Sequence, residues 1–145
     1  MSSIRENIIS NVISTLEAVS TANGYNYDLS GRVSRTLKHW EECSEFPQVF
    51  VMDGAESKVY GSNIMVDSTL EVVIRAYEHD QSDTSQKLNN LLEDIEKALC
   101  ADHTRGGYAV NTIPLKIETD EGWLQPFGIL EFRWSIFYQY EYGTP

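Results

Sequence analysis

Polar and apolar positions alternate most strictly towards the C-terminal end. From Gly128 to Tyr140 the even positions Leu130, Phe132, Trp134, Ile136, Tyr138 and Tyr140 are apolar or aromatic, and the odd positions Glu131, Arg133, Ser135 and Gln139 are polar, with Phe137 the exception. A period of two marks a strand with one buried and one wet face, the pattern of antiparallel sheet. Eight of the sixteen aromatic residues lie between Trp123 and Tyr142, so this segment belongs to the core. At the other end the period is helical: Ile4, Ile8, Ile9, Val12, Ile13, Leu16 and Val19 share one face. Ser3 and Glu6 have the spacing of a capping box, and Asn23-Gly24 offers a left-handed cap. Together they predict a helix over residues 4–22. Leu88, Leu91, Leu92, Ile95 and Leu99 form a second apolar face, predicting a helix over residues 84–101 capped by Asp83 or Thr84. Glu93 and Lys97 are spaced to pair on its wet side.

Between and around the helices the signals are those of strands and turns. Residues 25–29 suggest a short strand that residues 31–35 extend, while residues 36–46 carry no clean period and leave Trp40 and Phe46 to cover an edge of the core. Gln48 to Met52 reads as a buried strand. Asp53-Gly54 signals a turn, and residues 55–63 read as a hairpin tip. A return strand over residues 64–77 places Leu70, Val72, Ile74 and Ala76 on one face, and residues 78–82 form a loop. Arg105-Gly106-Gly107 closes the second helical region. Residues 108–117 read as a strand that Pro114 confines to a sheet edge, and residues 119–126 form a polar loop around Trp123. Short connections between consecutive strands favour antiparallel pairing. The expected fold is a single α+β domain over residues 1–145, a mainly antiparallel β-sheet with two α-helices packed on one face.

Composition narrows the function classes. The chain of 145 residues carries 11 basic and 22 acidic residues, a net charge of −11. That balance opposes a sequence-independent grip on nucleic-acid phosphates and disfavours an anionic membrane surface. Cys43 and Cys100 are too few and too isolated for a disulfide framework or a metal site. The first residues lack the apolar run of a signal peptide, and no stretch approaches the ~20 apolar residues of a membrane span. A reducing cytoplasm is the expected surrounding.

No catalytic constellation emerges from the titratable residues. Glu78-His79-Asp80 could chelate a cation, but successive residues rarely converge on one metal, and a solvated loop is expected. Asp102-His103 suits the wet end of the second helix. Asp120-Glu121 supplies adjacent carboxylates without the apolar enclosure that would separate their pKa values. Cys100 fits the end of a buried helical face, and Gly106-Gly107 follows a helix where a phosphate cradle should precede one. Arg32, Arg35 and Lys38 form a small basic cluster beside His39 and Trp40, better suited to pairing between subunits than to nucleic acid.

The layout resembles a known family. An amphipathic first helix ends in Asn23-Gly24-Tyr25, and a Phe46-Pro47-Gln48-Val49-Phe50-Val51 strand is followed by a hairpin and a strand over residues 70–77. A helix over residues 88–99 ends near Asp102, and the terminal strand adjoins an acidic Asp120-Glu121-Gly122-Trp123 loop. In order and size these elements resemble the tail terminator (tail completion) proteins of tailed bacteriophages and prophages. The resemblance implies a homo-hexameric ring on the last ring of the tail tube, which ends tube growth at the length a tape-measure protein sets. It also implies a joint to the head-completion (neck) proteins and, in contractile tails, contact with the sheath. DNA would pass through the ring without specific binding, and the protein would sit in the virion neck after assembly in the host cytoplasm. The family supplies no catalytic residues and no cofactor.

Interface positions follow from pattern alone: Gly54, Glu56, Lys58, Tyr60 and Asn63 of the expected hairpin, the basic pair Arg32 and Arg35, and Asp120, Glu121 and Trp123 of the acidic loop. Trp123 has two readings, folding back to cap the sheet edge or anchoring an interface. Two other classes stay open, a small acidic adaptor or binding domain outside any virion and an enzyme with a dispersed site.

Overall fold

A computed structural model describes residues 2–61 and 63–145. Two helices and five strands follow in the order α1 (Ile4–Glu17), β1 (Val33–Ser34), β2 (Gln48–Tyr60), β3 (Met65–His79), α2 (Thr84–Cys100), β4 (Asn111–Thr119) and β5 (Phe127–Glu141). Short 3-10 turns occupy Thr21–Asn23 and Trp40–Glu42. The strands form one sheet in the order β1-β2-β3-β5-β4. Every pairing is antiparallel except that of the two-residue β1 with β2. This is the expected α+β arrangement.

The alternation along β5 is realised as read. Leu130, Phe132, Trp134, Ile136, Tyr138 and Tyr140 are all buried. They share one core with Leu70, Val72, Ile74 and Ala76 of β3, Ile8, Ile9, Val12 and Leu16 of α1, and Leu88, Leu91, Ile95 and Leu99 of α2. Both helices therefore lie on the same face of the sheet; Leu92 is only partly buried. Gly128 makes the close approach of α2 to β5 achievable, since a Cβ there would lie 2.8 Å from Leu88 Cδ1. On the opposite face of the sheet, free of helix among the described residues, ion pairs bridge the strands: Arg75 with Glu131 and Arg133 Nη1 with Glu71 Oε1 at 2.6 Å. Pro114 sits in β4 at the sheet edge, where a missing N–H is harmless.

Several boundaries differ from the sequence reading, each for a local reason. Helix α1 stops at Glu17 rather than residue 22, because the chain folds back so that the Leu29 N–H donates to Val19 O and Asp28 Oδ1 accepts from the Thr21 N–H. Gly24, at φ +92°, closes the 3-10 turn instead of the helix. Ser3 caps α1 as expected, but Glu6 turns away to Arg35 and Ser10 rather than to the Ser3 amide. Residues 25–29 form no strand: the Asn26 and Tyr27 N–H groups donate to the buried carboxylate of Asp94 on α2, at 2.9–3.1 Å. Nor do Glu93 and Lys97 pair with each other, since the Lys97 ammonium donates to Gly24 O and lies over the Tyr25 ring. Cys100 is exposed rather than buried.

The largest difference lies in β2. Asp53-Gly54 is no turn; the strand runs on to Tyr60 through a bulge between Asp53 and Glu56. Before the bulge Val49 and Val51 face the helices, and after it the register places Glu56, Lys58 and Tyr60 opposite the inward-facing Leu70, Ser68 and Val66. One extra residue has exchanged the two faces of the strand. Because the new inward positions are polar, no apolar alternation betrays the second half of the strand. The true tip is the Gly61–Ile64 region, of which Ser62 lies outside the described residues.

Candidate functional site

The bulge gathers two of the expected hairpin residues, Glu56 and Lys58, into an intramolecular knot. Glu56 Oε2 accepts from Lys58 Nζ at 2.6 Å, from Tyr138 Oη at 2.6 Å and from Ser68 Oγ, and Oε1 accepts from Arg5 Nη1 at 2.6 Å. The Glu56 side chain is only 6% exposed. Burial alone would raise its pKa, but the hydrogen bonds from Lys58, Ser68, Tyr138 and Arg5 outweigh it and bring the carboxyl down to about 2. Gly54 suits a tight spot, since a Cβ there would lie 3.0 Å from Glu71 O. Arg35 pairs with Glu6 at 2.6 Å and reaches Asp53 at 3.7 Å, and Arg32 pairs with Glu45 at 3.3 Å. Glu56, Arg35 and Arg32, expected at subunit contacts, thus already have partners within the subunit.

Beyond the knot the strand ends open a groove. Lys58, Tyr60, Val66, Tyr140, Tyr142, Gly143 and Pro145 line a largely apolar space of about 530 Å³. Tyr60 is 61% and Tyr142 68% exposed, and their rings meet edge-on with centroids 5.6 Å apart. Lys58 Nζ lies 4.6 Å from the Tyr140 ring centroid, a cation–π contact. Asn63 and Ile64 both take positive φ, 61° and 56°, and turn the chain between the strands. The sequence did not reveal the groove, because its walls come from three separated segments; only the surplus of tyrosines at the C-terminal end hinted at it.

The acidic loop lies at the other end of β5. Asp120 organises it, one oxygen accepting from the Leu124 N–H at 3.1 Å and the other from the Ile129 N–H at 3.0 Å. Gln125 ties it to the start of α2, accepting from Thr84 Oγ1 at 2.5 Å and donating to Asp80 O at 2.9 Å. Glu121 and Gly122 take left-handed φ of 58° and 86° and project the next residue outward. Trp123 is 85% exposed. It does not fold back to cap the sheet edge: a pinned loop presents an indole to solvent. Beside it, edge strand β4 leaves Ile113, Leu115 and Ile117 exposed.

The remaining titratable groups serve the fold. His79 is no part of a solvated loop, for its ring packs against Phe46 and Phe127. Glu78 is buried on the helix-facing side of β3, and burial raises its pKa. Arg105 is fully buried and donates to Leu99 O in the last turn of α2 and to Asp102 O just beyond it. Asp102 caps the following turn through the Thr104 and Gly106 N–H groups. Among the described residues no group of three or more His, Cys, Asp and Glu side chains could hold a metal ion, and no helix is long and apolar enough to cross a membrane.

What the chain offers at its surface is therefore contact, an exposed indole, a tyrosine-lined groove and an apolar edge strand. Comparison with known proteins agrees. The model of the Bacteriophage Tail Tube Terminator Protein family matches residues 1–143. The tail tube terminator protein p142 of Escherichia phage T5 is 30% identical over 132 residues, covering 83% of this chain and 82% of that protein. A solved chain from the virion of the native gene transfer agent particle superposes with a TM-score of 0.54 at 8% identity, covering 97% of this chain and 100% of that one, a likeness of fold alone. The chain belongs to the bacteriophage tail tube terminator family, structural proteins of the virion tail that end the growth of its tube.

Proposed function

We propose that the protein works as a homo-hexameric ring that caps the last ring of the tail tube and offers its far face to the head-completion (neck) proteins, meeting the sheath where the tail contracts. The observation that carries this reading is the distribution of exposed apolar side chains. Trp123, the pair Tyr60 and Tyr142, and edge strand β4, whose bulge turns Ile113 and Ile117 to opposite faces, are exposed at separate places. A subunit acting alone would gain nothing from three such places, whereas a ring subunit must contact two neighbours as well as the tube. The protein would act by binding alone and be assembled in the host cytoplasm. The net charge of −11 suits a ring whose lumen DNA must traverse without sticking; tight, salt-sensitive binding of duplex DNA by the isolated protein would count against it.

The test is the mass of the assembled species, measured with the protein alone and after adding tail tube protein. Six copies of the 16.5 kDa chain, free or on the tube end, are expected. A dimer persisting in both preparations would overturn the ring.

A further inference from the structure

The exposed indole and the tyrosine-lined groove lie at opposite ends of the same strand. Trp123 precedes the start of β5, and Tyr140 and Tyr142 lie at its end. With ~3.3 Å of rise per residue, the fifteen residues of β5 hold the two features about 45 Å apart. No chain can place its Trp123 in its own groove. We infer that Trp123 of one copy seats in the groove formed by Lys58, Tyr60, Val66, Tyr140 and Tyr142 of the next copy, a head-to-tail contact that underlies the ring proposed above and rests on that reading.

Shape, chemistry and charge agree on a second copy as the occupant. The groove, about 530 Å³, falls within the roughly 300–1,000 Å³ of sites that enclose small organic groups, ample for one indole. Its walls are aromatic and aliphatic, and the exposed tyrosine edges suit an offset or edge-on partner ring. Among the described residues lining the groove the one charged side chain is Lys58, and the loop that carries Trp123 brings Asp120 and Glu121, the opposite sign. Both surfaces are organised before they meet. Asp120 and Gln125 pin the loop, and Glu56 holds Lys58 in place over the Tyr140 ring. Association then costs little ordering of side chains. Because knob and groove differ, the contact is heterologous, the kind that closes into rings.

Photo-crosslinking tests the pairing. Trp123 is replaced by p-benzoylphenylalanine, which keeps an aromatic knob, and isotopically light and heavy copies are mixed, free and bound to tail tubes. The expected product joins position 123 of one copy to the 58–66 or 140–145 segment of another. Trp123→Ala and Tyr142→Ala should each weaken self-association at least tenfold, with the double variant little weaker than either alone. Both should leave the thermal midpoint within about 2 °C, because the altered side chains are exposed. A six-membered ring whose crosslinks land elsewhere, on the tube or on another face of the neighbour, overturns the pairing and leaves the ring standing. Absence of any assembly, free or on the tube, overturns both.

Discussion

Replacing Glu56 with Gln keeps the shape of the side chain and removes the charge that holds the β2 bulge together. In the folded protein this carboxyl sits at about 2 against an ordinary 4.5. At about 1.4 kcal/mol per tenfold change in proton affinity, that difference is worth about 3 kcal/mol. Little is lost to solvent screening at the carboxylate, although Lys58 and Arg5 are partly exposed, so we expect Glu56→Gln to cost about 2–3 kcal/mol at pH 7. The sign fixes the pH dependence. A carboxyl whose folded-state pKa is depressed contributes fully above the unfolded value of 4.5 and loses that contribution as pH falls towards 2. By pH 3 the contribution should have dropped by more than half, to about 1.4 kcal/mol. Urea unfolding of both proteins from pH 7 to pH 3 reads this directly, and their difference cancels the titration of the other carboxylates. A gap under about 1 kcal/mol at pH 7, or one that does not narrow as pH falls, would refute the assignment of Glu56 as the hub of this knot.

Two further outcomes test the core. Trp134 is fully buried beneath both helices, so Trp134→Ala should cost about 3–5 kcal/mol in urea unfolding, and a cost under about 1 kcal/mol would contradict the face assignment of β5. Burial raises the pKa of Glu78, whose Oε2 has no hydrogen-bond partner among the described residues. A raised carboxyl favours the folded state below 4.5, and that favour is lost as pH rises through the folded-state value. Glu78→Gln should therefore gain about 1 kcal/mol at pH 7 and little at pH 4; a loss of stability at pH 7 would show that the charge is held by design.

The parts legible in the sequence are those where one periodicity ran unbroken. β5 from Leu130 to Tyr140 and β3 from Leu70 to Ala76 present apolar side chains at every second position to a single wall, and α2 shows an apolar stripe between Asp83 and Cys100. Illegible parts are those where backbone geometry overrules the pattern. The bulge puts Glu56 and Lys58 where apolar residues would be expected, so a paired strand reads as a polar tip. Asp94 hides on the buried face of α2 because its partners, the N–H groups of Asn26 and Tyr27, are 68 and 67 residues away. The same holds for the exposed surfaces. A tryptophan between acidic residues and a proline is conspicuous in one line of text, and Trp123 stands out. The groove is a product of tertiary folding, so only Lys58 and Tyr60 of its lining were singled out.

The bulge in β2 also makes that strand a counter. Upstream of Asp53 odd-numbered positions face the helices, and downstream of Glu56 even-numbered ones do. Whether odd or even numbers mark the inward side therefore depends on the number of residues between those two points. Loss of a single residue there would remove the bulge and leave a regular strand, with Asp53 and Glu56 still opposite Val72 and Leu70 and the Glu56 knot intact. An alignment of relatives that slides past this site without a gap assigns inside to outside for every position up to Tyr60. Across the family, the residue count between Asp53 and Glu56 is as much a structural character as the residues themselves.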